Sequence, residues 1–257
     1  MSARAFLLLL GLLFVGAEQS VWAQEPSDPM AARLSAEKVS DVAAGSYSAA
    51  DDVNFTLIPY GDKYLLRFDG NPENFVLYGD RIALGGRELK YDTGAIALKI
   101  SVWGGITLYT QDAPGGLPAT RTGDAAIPPR LAVPVASLTT ALTDEESHLN
   151  YTQHLKLHFS ADAAVVKGGD DARAYAFDTL VNSAMGIERI IGTPAGRAAF
   201  TQRFDQVRIV EGDKPTIVIS GHTLLVSFVP SSGAAGRASS RAIAYALGKM
   251  LSLQEPA

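Results

Sequence analysis

The feature that most constrains this chain is the spacing of its apolar runs between Val53 and Thr110. Phe55-Thr56-Leu57, Tyr64–Phe68, Asn74–Tyr78, Glu88–Tyr91, Ala95–Val102 and Gly105–Tyr109 each have the length and β-branched or aromatic content of a strand. In the fifth run Ile96, Leu98, Ile100 and Val102 share one face, the two-residue period of a half-buried strand. Between the runs stand Tyr60–Lys63, Asp69–Pro72, Tyr78–Arg81, Asp92–Gly94 and Gly104-Gly105, all turn chemistry. Strands so closely spaced must pair antiparallel, because a parallel pair needs a crossover of about a dozen residues or more. Residues 53–112 therefore predict an antiparallel meander or small barrel of about six strands. The tetrapeptide Tyr-Gly-Asp-basic occurs at 60–63 and again at 78–81, which reads as repeated turn chemistry.

The texture changes twice around this module. Residues 24–52 are rich in Ser, Ala, Asp and Pro with little apolar period, and read as a flexible or weakly docked arm. Residues 113–134 carry Pro114, Pro118, Pro128, Pro129 and Pro134 with several glycines, and read as a linker or surface loop. Beyond them, residues 135–257 predict a helix-rich α+β module, so the fold class is α+β. Val135 to about Tyr151 reads as helix, with a capping box at Thr143 and Glu146. From Asp171 to Ile191, Phe177, Leu180, Val181, Ala184, Ile187 and Ile191 form one apolar face. Thr193-Pro194 opens a further helix, and Ser239 or Ser240 opens the last. Strands at 207–210, 216–219 and 223–229 predict a short antiparallel sheet.

The N-terminus predicts export. Arg4 precedes the uncharged twelve-residue run Phe6–Ala17, and Val21-Trp22-Ala23 supplies small residues for cleavage, making Gln24 the expected mature N-terminus. The run is shorter than the roughly 20 apolar residues that cross a bilayer, so no transmembrane anchor is expected after cleavage. The absence of cysteine leaves no disulfide and no lipoprotein attachment site. A net charge of −5 without basic stripes argues against nucleic acid as a partner. The expected location is the periplasm or the medium.

The phrases Leu66–Gly70, Gly104–Tyr109 and Thr193–Arg197 resemble sequences of an uncharacterised family of exported proteobacterial proteins, a domain of unknown function. The resemblance spans most of residues 53–253 and implies a periplasmic setting. It carries over no catalytic residue.

Few residues nominate chemistry. His154, His158 and Asp162 have helical ligand spacing, but Leu155, Leu157 and Phe159 alternate with them as on a strand, which would hold the two histidines roughly 13 Å apart. No metal and no cofactor is expected. No Gly-x-Ser-x-Gly elbow or His-Glu-x-x-His motif is present, and no catalytic residue is assigned. Trp103, Tyr91 and Tyr109 read either as sugar-stacking aromatics or as barrel core. The stretch Ser231–Arg241 leads small residues and two arginines into a helix start. Arg237, Ser239, Ser240 and Arg241 there predict an anion-binding helix N-terminus, or else a solvated connection closed by a serine cap. The expected function is an exported, soluble cell-envelope protein, a non-enzymatic binding or interaction module for an envelope protein, glycan or anionic ligand. The alternative is a metal-independent hydrolase whose residues converge only in the fold.

Overall fold

The computed structural model describes residues 42–50, 52–127 and 131–253. The expected signal peptide and residues 24–41 of the arm lie outside them. Eight antiparallel strands form a closed barrel: β1 (Gly45–Ala49), β2 (Val53–Tyr60), β3 (Lys63–Phe68), β4 (Phe75–Arg81), β5 (Arg87–Lys90), β6 (Ile96–Ile100), β7 (Ile106–Leu108) and β8 (Leu117–Gly123). Of the two expected forms, meander or small barrel, the structure is the barrel, with two strands more than the six expected. Both added strands come from stretches read as something else: β1 from the arm and β8 from the Pro/Gly-rich linker. Their pairing, from Ala49↔Ala119 to Ser46↔Gly123, is what shuts the sheet and leaves no edge exposed. Pro118 is tolerated because the β1 ladder begins only at Ala119, so its missing N–H breaks no bond on that side.

Inside the barrel, period two decides what is buried. Phe55, Leu57, Leu66, Leu77, Leu89 and Leu98 are almost wholly shielded from solvent, while Asn54, Arg67 and Lys99 alternate with them. At β2–β3 the two-residue turn Gly61-Asp62 has Gly61 at φ +61, the first position of a hairpin turn that only glycine occupies easily. The second Tyr-Gly-Asp-basic copy departs from expectation: Tyr78–Arg81 continues β4, and the chain turns later through the 3₁₀ segment Ala83–Gly85.

The second core lies among α1 (Val135–Gln153), the single turn α2 (Ala163–Val166), α3 (Asp170–Ile191), α4 (Pro194–Arg203), α5 (Ser240–Met250) and a four-stranded sheet. That sheet is mixed. Its order is β11 (Thr216–Ser220), β12 (Thr223–Phe228), β10 (Gln206–Glu211), β9 (His158–Ala161), with β10 parallel to both neighbours and β11 antiparallel to β12. The expected antiparallel sheet therefore needs correction. β10 and β11 are joined by a short connection but do not pair, because β12 inserts between them. Burial explains the choice: Leu224, Val226 and Phe228 are fully buried, whereas β11 is half exposed and suits an edge. Nor is there a capping box. α1 begins eight residues before Thr143, whose hydroxyl donates back to Thr139 O at 3.3 Å inside the helix. α3 is the spine of this half. A Cβ on its Gly186 would stand 2.8 Å from Ile243, so glycine is what allows α5 to lie so close.

Candidate binding site

The four residues expected to bind an anion do converge at the start of α5, and two of them already hold anions of this chain. Ser239 caps the helix, its hydroxyl accepting from Ala242 N at 3.0 Å. The same residue donates from N–H and hydroxyl to the two oxygens of Asp92, at 2.8 and 2.6 Å. Ser240 donates from N–H and hydroxyl to Glu73, at 2.7 and 2.5 Å. Glu73 comes from the β3–β4 loop and Asp92 from the β5–β6 loop, both at one end of the barrel. The helix end that attracts negative charge has thus been filled by two carboxylates, and it works as a joint between the two halves. Burial holds the Glu73 carboxyl above its ordinary range, against the Ser240 hydrogen bonds that pull it down.

Both arginines are engaged as well. The Arg241 guanidinium lies 4.3 Å from the centre of the Tyr91 ring. Arg237 Nη1 is 3.3 Å from Asp178, and its side chain is 7% exposed. Burial raises the Asp178 carboxyl, with Arg237 opposing that shift. Arg237 Nε is buried without a hydrogen-bond partner among the described residues. The hollow beside it measures about 10 Å³, room for no more than about one water. Next to it Ala234 N–H donates to the Tyr60 hydroxyl at 3.3 Å. Gly233 has φ +59, and a Cβ there would sit 2.3 Å from the Tyr60 oxygen.

This joined end of the barrel is sealed. Tyr47, Phe55, Phe68, Phe75 and Tyr91 make an unbroken string of ring contacts, with centroids 5.4 to 6.2 Å apart. The opposite end is open. Along β4 the inner-face positions run Phe75, Leu77, Gly79, Arg81: the first two are buried, the last two exposed. Along β2 they run Phe55, Leu57, Pro59, and on β5 Leu89 is followed outward by Arg87. The inner face thus turns from apolar to polar at one level, and above it lies a cup of about 450 Å³ lined by Val42, Pro59, Tyr64, Gly79, Arg81 and Arg87, with Gly61 and Asp62 on its rim. Tyr64, 6% exposed, forms part of the wall, and its hydroxyl accepts from Arg87 Nη1. A Cβ on Gly79 would rest at ordinary contact distance, 3.4 to 3.6 Å, from Leu89, Arg87 and Tyr64, so the missing side chain is part of what keeps the cup open.

Charge at this end is unevenly matched. Asp62 is 2.8 Å from Lys63, whose hydrogen bond holds its carboxyl below the usual range. Asp80 is 2.8 Å from Lys90, and Glu88 is 3.6 and 3.2 Å from Lys90 and Lys99. Arg81 has no ion pair or hydrogen bond among the described residues, and it stands directly across the ladder from Arg87. Sequence reasoning passed over this cup. Its one local signal was the alternation Phe75-x-Leu77-x-Gly79-x-Arg81, where the apolar side chains stop before the strand does.

The histidines lie elsewhere. His158, on β9, has Nδ1 2.8 Å from Glu146 of α1. His154 caps α1 in the left-handed conformation and is not on the same element. His222 Nδ1 is 3.2 Å from Arg203 O. The hydroxyl nearest in sequence to His158, that of Ser160, accepts from Gln206 Nε2 and reaches Val207 O. Among the described residues no group of three His, Cys, Asp or Glu side chains could hold a metal ion, and no helix is long and apolar enough to cross a membrane. Of the three singled-out aromatics, Tyr91 is core, Tyr109 lies under Lys99 Nζ at 5.6 Å, and Trp103 is 92% exposed on the β6–β7 hairpin at the open end.

Compared with known proteins, the chain matches one family profile, described as Domain of unknown function (DUF4908), over residues 28–247. No curated protein and no solved structure matches it.

Proposed function

We propose a binding role for this chain, which belongs to the DUF4908 family, a domain of unknown function: it holds a small molecule in the cup at the open end of its barrel. The cup itself carries the reading. Eight strands enclose an interior that side chains can fill or that can receive one small ligand. Here the interior is filled at one end and left open at the other, with about 450 Å³ in the range of small-molecule sites. A rigid, closed scaffold with polar groups at its mouth suits capture and release. The proposal keeps the expected setting: export by residues 1–23, a mature N-terminus at Gln24, and residence in the cell envelope. The hydrolase alternative draws on the His158–Glu146 pair, but that pair lies outside the cup and has no hydroxyl among its hydrogen bonds in the described residues.

Native mass spectrometry of the protein isolated gently from its own cells tests the binding role. A bound small molecule that Gly79→Leu abolishes supports the cup, and one that Gly79→Leu retains places the site elsewhere. N-terminal sequencing of the same material tests export: the expected first residue is Gln24, and Met1 on the isolated protein overturns it.

A further inference from the structure

We infer that β11 is a docking edge for a second copy of this chain, paired antiparallel across a two-fold axis at Val218. The interface belongs to the mixed sheet and is independent of the cup. β11 ends that sheet, and among the described residues no strand pairs with its outer edge. Alternate residues of β12 turn their N–H and C=O groups to opposite sides. Phe228 O accepts from Gly212 N at 3.0 Å on the β10 side, so Thr223, Leu225 and Ser227 face β11. Their partners Ser220, Val218 and Thr216 are thereby engaged, and the backbone groups of Ile217 and Ile219 point outward. The side chains of Ile217 and Ile219 stay packed on the core, so pairing along this edge leaves the core undisturbed.

Natural sheets blunt such an edge with charge, a bulge, proline, brevity or a covering element. β9, the opposite edge, has four residues and is flanked by α1, whose Glu146 holds His158 at 2.8 Å. Thr216–Ser220 has no charge, no bulge and no proline, and its Val218 is 45% exposed.

Two-fold symmetry selects a second copy as the occupant, since the same patch must complement itself. Centring the pair on Val218 sets Ile217 against the second copy's Ile219, and these exchange both backbone bonds. The axis repeats the exchange. Val218 then meets its own copy at a non-hydrogen-bonded position, where side chains come closest. A charge there would face itself; valine instead joins Leu225, its neighbour on β12, in one apolar patch. Thr216 falls opposite the second copy's Ser220, a hydroxyl pair. Beyond the ladder, Glu211, Asp213 and Lys214 of one copy meet Arg203, Asp205 and His222 of the other. A net acidic end thus faces one without net negative charge. Pro215 stops the ladder, and five residues a side fall far short of the roughly 20–30 in a standard interface. The dimer is therefore weak and forms at high local concentration.

Sedimentation velocity of the purified protein from about 5 to 500 μM tests the pairing. The expected result is a concentration-dependent dimer that Val218→Lys abolishes, with each variant checked for an unchanged thermal unfolding transition. An equimolar mixture of Val218→Lys and Val218→Glu should restore it, because opposite charges then meet on the axis. A second measurement uses the absence of cysteine from the chain. With dissolved oxygen and copper, Val218→Cys should form a disulfide-linked dimer at least tenfold faster than Tyr151→Cys, which stands 86% exposed on α1. A protein that stays monomeric throughout the range overturns the inference. So does a dimer that Val218→Lys leaves intact, a mixture of the charged variants that stays monomeric, or equal rates for the two cysteines.

Discussion

One end of the barrel is closed three times over, by a string of five aromatic rings, by Arg241 stacked on Tyr91, and by two carboxylates driven into the start of α5. At the other end the inner face runs out of large apolar side chains at Gly79 and finishes in two facing arginines. At the first end the N–H groups of Ser239, Ser240 and Ala242 at the helix start are all satisfied from within the chain. At the second, a guanidinium stands without a partner among the described residues. At one end charge complementarity is consumed in folding and makes a joint, whereas at the other the inner face ends in polar side chains around an open cup.

Mutations should divide along that line. The largest effect is expected at Glu73, which is 2% exposed. Glu73→Ala strands the Ser240 N–H and hydroxyl in a buried place, and should cost about 3 kcal/mol in urea unfolding. A loss below about 0.5 kcal/mol would mean that the joint contributes nothing. Glu73→Gln sharpens the point through pH. The folded protein binds the Glu73 proton more tightly than the unfolded chain does, so the folded state is favoured most below the ordinary carboxylate range. That advantage is lost as the pH rises through the raised value. Stability measured from pH 4 to 8 should fall less steeply in Glu73→Gln than in wild type, and identical slopes would show that Glu73 does not titrate in this window.

Gly233→Ala should cost about 2 kcal/mol, because alanine resists φ +59 and its Cβ would collide with the Tyr60 hydroxyl. Adding Tyr60→Phe should recover part of the loss, and no recovery would assign the whole effect to the backbone. Asp92→Ala should cost about 1 kcal/mol, since Ser239 keeps its bond to Ala242 N and the site is reached by water. The smallest effect belongs to the open end. Arg81→Ala removes one of two facing charges and should leave stability unchanged or raise it by up to about 0.5 kcal/mol at low salt. A loss above 1 kcal/mol there would end the distinction between the joint and the open end.

Much of this arrangement was legible in local sequence. The hairpins of β2 to β7 follow from alternation and turn glycines, and Gly70, Gly94 and Gly104 do adopt positive φ where turns were expected. The Asp171–Ile191 face and the caps at Thr193 and Ser239 are equally local, since spacing and a single hydroxyl decide them. What was hidden depends on partners far along the chain. β1, Gly-Ser-Tyr-Ser-Ala, has weak strand propensity and becomes a strand only by lying between β2 and β8. β8 was masked by Pro118. In the mixed sheet, the three strands read from sequence were expected to pair antiparallel, and only the greater burial of β12 reveals that it lies between β10 and β11 and runs parallel to β10. Glu73 sits in an ordinary turn sequence, with nothing nearby to mark it as the most deeply buried acid of the joint.

The joint also bears on the order of events when the chain is made. Ser239 and Ser240 lie 147 and 167 residues beyond the carboxylates they bind. All eight barrel strands are complete by Gly123, so during synthesis the barrel can close before α5 exists. Domains emerging from the N-terminus tend to fold as units, and α5 then arrives at acceptors already in position. Refolding of the full chain from denaturant has no such schedule. It must bring the same groups together across most of the sequence, a search that slows folding as contacts become less local. The last helix is therefore a late-acting clasp, set by an end of the barrel that was finished first.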